Sequence, residues 1–157
     1  MRMTMRLMVA VVLMMGSSAY AADTTLAVKA GGLHSSAATG GTAIAPGIAW
    51  GGVVGSNLGY EVSYLDGSLG TTGKDRSRVL TGSLVFWAHM GVIHPKLKLG
   101  GGSVWTKTPT GTTWNHTANL AYGGGLDVEI SRNVLLGLEW NKLSNDVSFA
   151  GMTLTWK

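Results

Sequence analysis

Apolar and polar residues alternate almost without error between Thr113 and Lys142. The apolar parity starts at Trp114 and ends at Ile130, and the other parity carries small, amide and acidic side chains such as Asn115 and Glu129. Successive side chains of a β-strand point to opposite faces, so a period of two predicts strands on both sides of the turn Ser131–Asn133. One face of this hairpin is apolar and aromatic, and the other is small and polar.

The same periodicity predicts eight strands after residue 21. They are Thr24–Gly31, Thr42–Val54, Leu58–Leu65, Arg78–Met90, Pro95–Thr106, Thr113–Ile130, Val134–Leu143 and Val147–Trp156. Long connections alternate with short ones, except that the last connection, Ser144–Asp146, is short. Membrane barrels have short turns on the periplasmic side and longer loops outside.

The first 21 residues have the features of a secretory signal peptide. Arg2 and Arg6 precede an apolar run from Leu7 to Met15, and an A-x-A site follows at Ala19–Ala21. The run is too short to span a bilayer, so we expect cleavage after Ala21 rather than an uncleaved anchor. The mature chain, residues 22–157, then forms one domain with ten basic and eight acidic residues, a net charge of +2.

Composition separates a membrane barrel from a soluble one. Charged residues make up 13% of the chain, against about 25% in ordinary soluble domains. The polar parity carries too little charge for a good water-facing surface, and only a closed barrel satisfies every strand backbone group in lipid. The sequence therefore predicts a closed, antiparallel, eight-stranded up-and-down transmembrane β-barrel in the bacterial outer membrane, as a monomer.

Aromatic residues on the apolar parity fall near the two ends of the predicted strands. Interfacial Trp and Tyr form two such belts in membrane barrels. The residues assigned to the lipid interface are Tyr60, Tyr64, Phe86, Trp105, Trp114, Trp140 and Trp156.

Charged residues of both signs fall on the inward parity. Buried charges must be paired or hydrated, so they predict an ion-pair network inside the barrel. Its members are Lys29, Glu61, Lys96, Lys98, Asp127, Glu129 and Glu139. An eight-stranded barrel can just be filled by its side chains, although small inward residues such as Gly100 and Gly125 leave a narrow solute path open as an alternative.

Three segments resemble the small outer-membrane barrels related to the OmpA N-terminal domain, OmpX and the opacity proteins. They are Asn57–Gly67, Pro95–Trp105 and Leu120–Trp140, and the last is similar to the penultimate hairpin of that group. The final strand resembles the terminal strand read by the outer-membrane assembly machinery, but Lys157 follows the aromatic at which the family would normally end. The resemblance implies a non-enzymatic envelope or surface protein.

Catalytic and cofactor sites find little support in the sequence. Lipid A deacylases of similar shape place a His and a Ser two residues apart on a lipid-facing strand, but here Ala118 follows His116. No His pair has metal-ligand spacing and no basic run would bind nucleic acid. We therefore expect no catalytic residue, cofactor or metal, and place a lipid A-modifying enzyme behind a narrow porin among the alternatives.

The expected partners are those of an outer-membrane surface. They are membrane lipid and lipopolysaccharide, the assembly machinery, and an extracellular ligand contacted through the loops. The second loop carries Lys74, Asp75, Arg76 and Arg78, which could meet anionic lipopolysaccharide through charge attraction. A solvated loop with no binding role is the alternative.

Overall fold

The computed structural model describes residues 23–36, 41–69, 75–107 and 113–157. The predicted signal peptide lies outside these residues, and its cleavage stays a prediction. Eight strands are present: β1 (Asp23–Ser35), β2 (Thr42–Val53), β3 (Leu58–Leu69), β4 (Asp75–Trp87), β5 (Ile93–Lys107), β6 (Asn115–Ser131), β7 (Val134–Lys142) and β8 (Val147–Trp156).

Each strand pairs antiparallel with its neighbours in sequence, and β1 closes the barrel against β8. The closing register runs from Leu26 opposite Trp156 to Ser35 opposite Val147. Closure leaves no sheet edge along the shared length of the strands, which confirms the predicted fold class. No helix among the described residues is long and apolar enough to cross a membrane.

Several strands differ in length from the sequence prediction. β1 continues through Gly31 and Gly32 to Ser35, and β3 continues to Leu69. β4 begins at Asp75 and ends at Trp87, three residues before the predicted end at Met90. Met90 instead bridges to Ile93 around Gly91, whose φ of 69° suits a residue without a side chain. The added residues at the ends of β1 and β3 are mostly glycine and polar residues. They lack the apolar alternation from which the strands were predicted.

The barrel has two different ends. Residues 54–57, 88–92 and 132–133 connect strands at what we call the short-turn end, where β1 begins and β8 finishes. The other four connections lie at the long-loop end. Among them, residues 143–146 form a tight connection in which the Val147 amide donates to Ser144 Oγ at 3.1 Å.

The wall of the barrel is uneven at the long-loop end. β6 has 17 residues and β7 has 9, so Tyr122 is the last β6 residue to pair with β7, opposite Lys142. Residues 115–121 of β6 pair with β5 alone. The β5–β6 hairpin therefore rises above the neighbouring β7–β8 hairpin.

The outer face of the barrel is apolar and exposed. Leu97 is 68% exposed, Leu120 66% and Leu138 60%, all on the parity opposite the charged lumen residues. Contiguous apolar surface of this extent is unusual for a soluble monomer and typical of a surface that faces lipid.

Leu138→Arg tests which face meets lipid. Leu138 is the middle residue of β7, and an arginine on the lipid face at mid-membrane costs about 2–4 kcal/mol. We expect that loss in a refolding titration in phospholipid vesicles. Val134→Arg, at the short-turn end of the same strand and face, should cost less than about 1 kcal/mol. Equal effects of the two changes would contradict the assignment.

Candidate functional site

Four charged side chains from alternate strands form a closed ring across the lumen. Lys29 on β1 donates to Glu61 on β3 at 2.6 Å and to Glu139 on β7 at 2.8 Å. Lys98 on β5 donates to the same two carboxylates, at 2.9 Å to Glu61 and 2.6 Å to Glu139. Every charge in this ring touches two opposite charges. Lys29 and Glu139 are only 2% and 4% exposed, so the ring replaces the water that these ions lose.

A second ion pair lies beside the ring. Lys96 Nζ donates to Asp127 Oδ1 at 2.6 Å and lies 3.8 Å from Glu139 Oε2. Two glycines leave space for this pair: a Cβ at Gly125 would lie 3.0 Å from Lys96 Cε, and one at Gly137 would contact Asp127 Oδ1. These inward glycines admit the charged side chains of neighbouring strands and do not widen the lumen.

Glu129 is the one predicted network residue that the structure places elsewhere. It lies near the short-turn end, 3.5 Å from His94 Nε2 and 3.9 Å from Lys157 Nζ, with its side chain 33% exposed. Strand parity indicated that it points inward but not its depth along the barrel. The other six charged residues form the ring and its adjacent pair.

Apolar side chains fill the lumen toward the long-loop end. We call them the apolar plug, and each is at most 5% exposed. The plug consists of Leu33, Ala45, Leu65, Val79, Val104, Leu143, Val147 and Phe149. Between the plug and the ring, a space of about 10 Å³ is lined by residues including Ser63 and Asn141. That volume accommodates about one water molecule. The plug and the ring thus close the lumen in two successive layers.

The lumen is open in contrast near the short-turn end. A cavity of about 280 Å³ extends from Glu61, Lys96 and Asp127 to the β2–β3 turn and Lys157. We call it the short-turn cavity. Trp87, His89 and His94 line one side of it. The sequence predicted Trp87 and His89 within the strand Arg78–Met90 and His94 outside any strand, and it gave no sign of a void beside them.

The aromatic residues assigned to the lipid interface are mostly on the outer face. Tyr64, Phe86, Trp140 and Trp156 are between 37% and 47% exposed, and Trp105 and Trp114 are half-buried. Tyr64 and Trp105 lie toward the long-loop end, and Phe86 and Trp156 toward the short-turn end.

Tyr60 differs from the other six because it is only 5% exposed. Its ring lies over Gly52 on the adjacent strand, where a Cβ would meet the ring within 3.1 Å, and Trp50 packs edge-on against it at 5.5 Å. Trp50 and Tyr122, absent from the predicted set, are 42% and 48% exposed instead. Strand parity predicted that Tyr60 lies at the lipid interface, but it could not reveal that Tyr60 is buried with Trp50 packed against it.

Cationic and aromatic side chains meet on the outer face near the long-loop end. The Arg78 guanidinium carbon lies 4.9 Å from the centre of the Trp114 ring, and Arg78 Nε lies 3.5 Å from Asp66 Oδ2. The register places Arg76 opposite Lys107 on the neighbouring strand. Arg76, Arg78 and Lys107 therefore lie together beside the aromatic residues on the outer face at this end. We call these three residues the cationic edge.

His116 contacts an aromatic side chain of the neighbouring strand. His116 stacks on Trp105 with ring centres 5.0 Å apart, and Ala118 occupies the position two residues further along the strand. Among the described residues, no group of three or more His, Cys, Asp or Glu side chains is arranged to hold a metal ion.

Solved structures share this architecture. Neisserial surface protein A superposes with a TM-score of 0.69 at 13% identity, covering 87% of this chain and 98% of that one. The N-terminal barrel of Pseudomonas aeruginosa OprF gives 0.62 at 13%, covering 86% and 98%. The chain has the fold of a small outer-membrane β-barrel. The Yersinia pestis attachment invasion locus protein, Ail, gives 0.56 at 10%, covering 85% and 95%.

Sequence comparison adds nothing to this structural likeness. No family model matches the chain, and no curated protein matches it. The likeness rests on strand number, order and closure, at identities too low to carry over the role of any individual residue.

Glu139→Gln tests how much the charged ring contributes to the free energy of unfolding of the barrel. The change removes the charge but keeps the shape, which leaves Lys29 and Lys98 to share Glu61. Breaking a buried ion pair costs about 3–5 kcal/mol, and we expect a loss of at least about 3 kcal/mol in unfolding by urea in lipid. Glu129→Gln, a matched change at a partly exposed pair, should cost less than about 1 kcal/mol. A neutral Glu139→Gln would show that the ring does not stabilise the barrel.

Proposed function

We propose that this protein is a non-enzymatic barrel of the bacterial outer membrane that acts through its external surface. Its barrel is closed to solutes, and its long-loop end meets lipopolysaccharide and extracellular ligands. The observation that carries the proposal is the double closure of the lumen, by the apolar plug and by the charged ring. A lumen closed in this way leaves the outer face and the loops as the surfaces available for function.

The placement in the membrane follows from the apolar outer face and the two aromatic levels. The short-turn end then faces the periplasm and the long-loop end faces outside, as in other outer-membrane barrels. The predicted signal peptide would deliver the chain to the periplasm, and the final strand would be read by the outer-membrane assembly machinery. The extracellular ligand is proposed from the composition of the long loops, which are rich in Gly, Ser, Thr and Asp.

The alternative of a narrow porin has little support in this geometry. A conducting path would have to pass Phe149 and Leu33, both 0% exposed, and then the four-membered ring. A lipid A-modifying enzyme has less support, because His116 has no hydroxyl nucleophile at the second position along its strand.

The basic residues at the long-loop end support lipopolysaccharide as a partner. Arg76 and Arg78 alternate along β4, and Lys107 lies opposite Arg76. Arginine suits phosphate because its planar guanidinium presents several donors at once. In this position the three cations would lie at the level of the phosphate groups of the outer leaflet. Ail, a similar fold, has been crystallised in complex with the heparin analogue sucrose octasulfate.

Conductance of the mature chain in a planar lipid bilayer tests the closed lumen. We expect no current steps from protein shown to be folded by circular dichroism. Phe149→Ala should remain silent too, because the charged ring still closes the lumen. A known pore-forming peptide added to the same bilayer shows that current would be detected. Uniform steps from the native protein would overturn the proposal in favour of a porin.

Charge removal at the cationic edge tests the lipopolysaccharide contact. In the triple variant Arg76→Gln, Arg78→Gln, Lys107→Gln, each lost cation should weaken binding to anionic lipid by about 1 kcal/mol. The control, Arg132→Gln with Lys157→Gln, removes two cations at the opposite end of the barrel and is compared with the double variant Arg76→Gln, Arg78→Gln as well as with the triple variant. Binding is measured as a function of salt with purified lipopolysaccharide and nanodisc-embedded protein. Equal affinity of the control and the double variant would exclude the cationic edge as the contact.

A further inference from the structure

A groove of about 410 Å³ lies in the outer face of the barrel near the long-loop end. We call it the outer groove. It is lined by Tyr64 on β3, Arg78 and Leu80 on β4, Trp105 on β5 and Trp114 just before β6. Tyr64 lies opposite Leu80, and Trp105 lies opposite Arg78 in the next pair toward the loops. The outer groove is therefore apolar along most of its wall and has a cation at its loop end.

Two adjacent glycines extend the outer groove toward the middle of the barrel wall. Gly82 follows Leu80 on the same face of β4 and pairs with Gly101 of β5. A Cβ at either glycine would meet no atom of the described residues within 4 Å. Val62 on one side and Leu120 on the other pair with these glycines. The outer groove therefore continues into a shallow depression on the lipid-facing wall.

Arg78 is held in a fixed position at the loop end of the outer groove. Its guanidinium carbon lies 4.9 Å from the centre of the Trp114 ring, and its Nε lies 3.5 Å from Asp66 Oδ2. The side chain is nevertheless 42% exposed. Arg76 and Lys107 lie opposite each other in the adjacent pair. Asp66 offsets one of these three positive charges, so the loop end of the groove attracts an anion.

The order of these features along the wall fits a lipid with an anionic headgroup. Trp105 and Trp114 mark the level of the membrane interface, where the cations lie, and the apolar part of the groove lies on the membrane side of them. A free phosphate would contact the cations alone, and an uncharged lipid would leave them without an anion. A second copy of the barrel docked by the same face would bring like charges together. A phosphorylated lipid of the outer leaflet contacts both parts at once.

We propose that the outer groove binds one acyl chain of lipid A, and that Arg78 binds a phosphate of the same molecule. The wall from Arg78 to Leu84 extends about 20 Å along β4, which is a depth of about 15 Å for a strand tilted by about 40°. One leaflet of the hydrocarbon core has a similar depth. This inference rests on the proposed contact with lipopolysaccharide and adds a defined place for the acyl chain.

Nuclear Overhauser contacts between lipid A and the protein test the place of the chain. The native protein is embedded in nanodiscs of deuterated phosphatidylcholine, in which lipid A is the source of acyl protons. With a single lipid A per nanodisc, we expect contacts to the Leu80 methyl groups and to the Trp114 indole N–H. Leu138, which is exposed on the outer face of β7, should show none. Contacts of equal intensity at Leu138 would indicate unspecific lipid and would overturn the proposal.

Gly101→Leu fills the depression beside the outer groove without changing a cation. The loss of several van der Waals contacts with the chain should weaken lipid A binding about three- to tenfold, measured by titration of the Trp114 indole signal. The matched control, Ala30→Leu, adds a leucine at an exposed position of β1 and should leave the affinity unchanged. Circular dichroism verifies that both variants fold, and the Overhauser experiment needs neither. Equal affinity of the two variants would contradict the proposal.

Phosphatidylglycerol tests whether the ligand is lipid A or any anionic lipid. It has acyl chains but one phosphate charge, and the missing charge near the cationic edge should weaken its binding about fivefold relative to diphosphoryl lipid A. Equal affinity for the two lipids would overturn the assignment to lipid A.

The same measurements distinguish failure of this inference from failure of the proposed function. Salt-dependent binding of lipid A with no Overhauser contact at Leu80 would overturn the acyl site and leave the lipopolysaccharide contact standing. The absence of saturable lipid A binding to the native protein would overturn both.

Discussion

The alternation of two lysines and two glutamates across the lumen is the constraint on which the rest of this barrel depends. Each charge of the ring comes from a different odd-numbered strand, and Lys29 and Glu139 are separated by 110 residues. Their desolvation is compensated only when all four strands are in register and the barrel is closed. These long side chains must fit into a narrow lumen. The inward glycines and the small residues around the ring leave space for them and for the neighbouring Lys96–Asp127 pair.

The layers on the two sides of the ring give the barrel opposite properties at its ends. Toward the long-loop end, the apolar plug fills the lumen with side chains that need no hydrogen bonds. Toward the short-turn end, alanines and glycine face Trp87 and His94 across an open space. One lumen therefore combines a sealed half with an accessible half. The same barrel therefore contains a filled lumen at one end and an open cavity at the other.

Strand parity was enough to predict the fold and the faces of most side chains. The repeat in residues 113–142 identified β6, β7 and the turn between them, and six of the seven charged residues expected inside form the ring and its adjacent pair. Parity carries no information on depth, so it did not separate Glu129 from the ring or show that Phe149 and Leu33 would form a plug. Contacts between residues distant in sequence, such as Trp50 over Tyr60, depend on strand stagger, which alternation alone does not specify. The short-turn cavity was missed for the same reason.

The unequal heights of β6 and β7 leave residues 115–121 with half of the strand pairing that the rest of β6 has. Residues 115–121 are held by β5 on one side only, so about half of their backbone groups point away from any strand of the described barrel. At about 3.4 Å per residue, this one-sided segment spans roughly 24 Å. Its opening requires only the β5–β6 hydrogen bonds to break, which include those beside Val104 of the plug but none beside a ring residue. Local opening of residues 115–121 therefore costs less free energy than opening of the strands below them, which are paired on both sides.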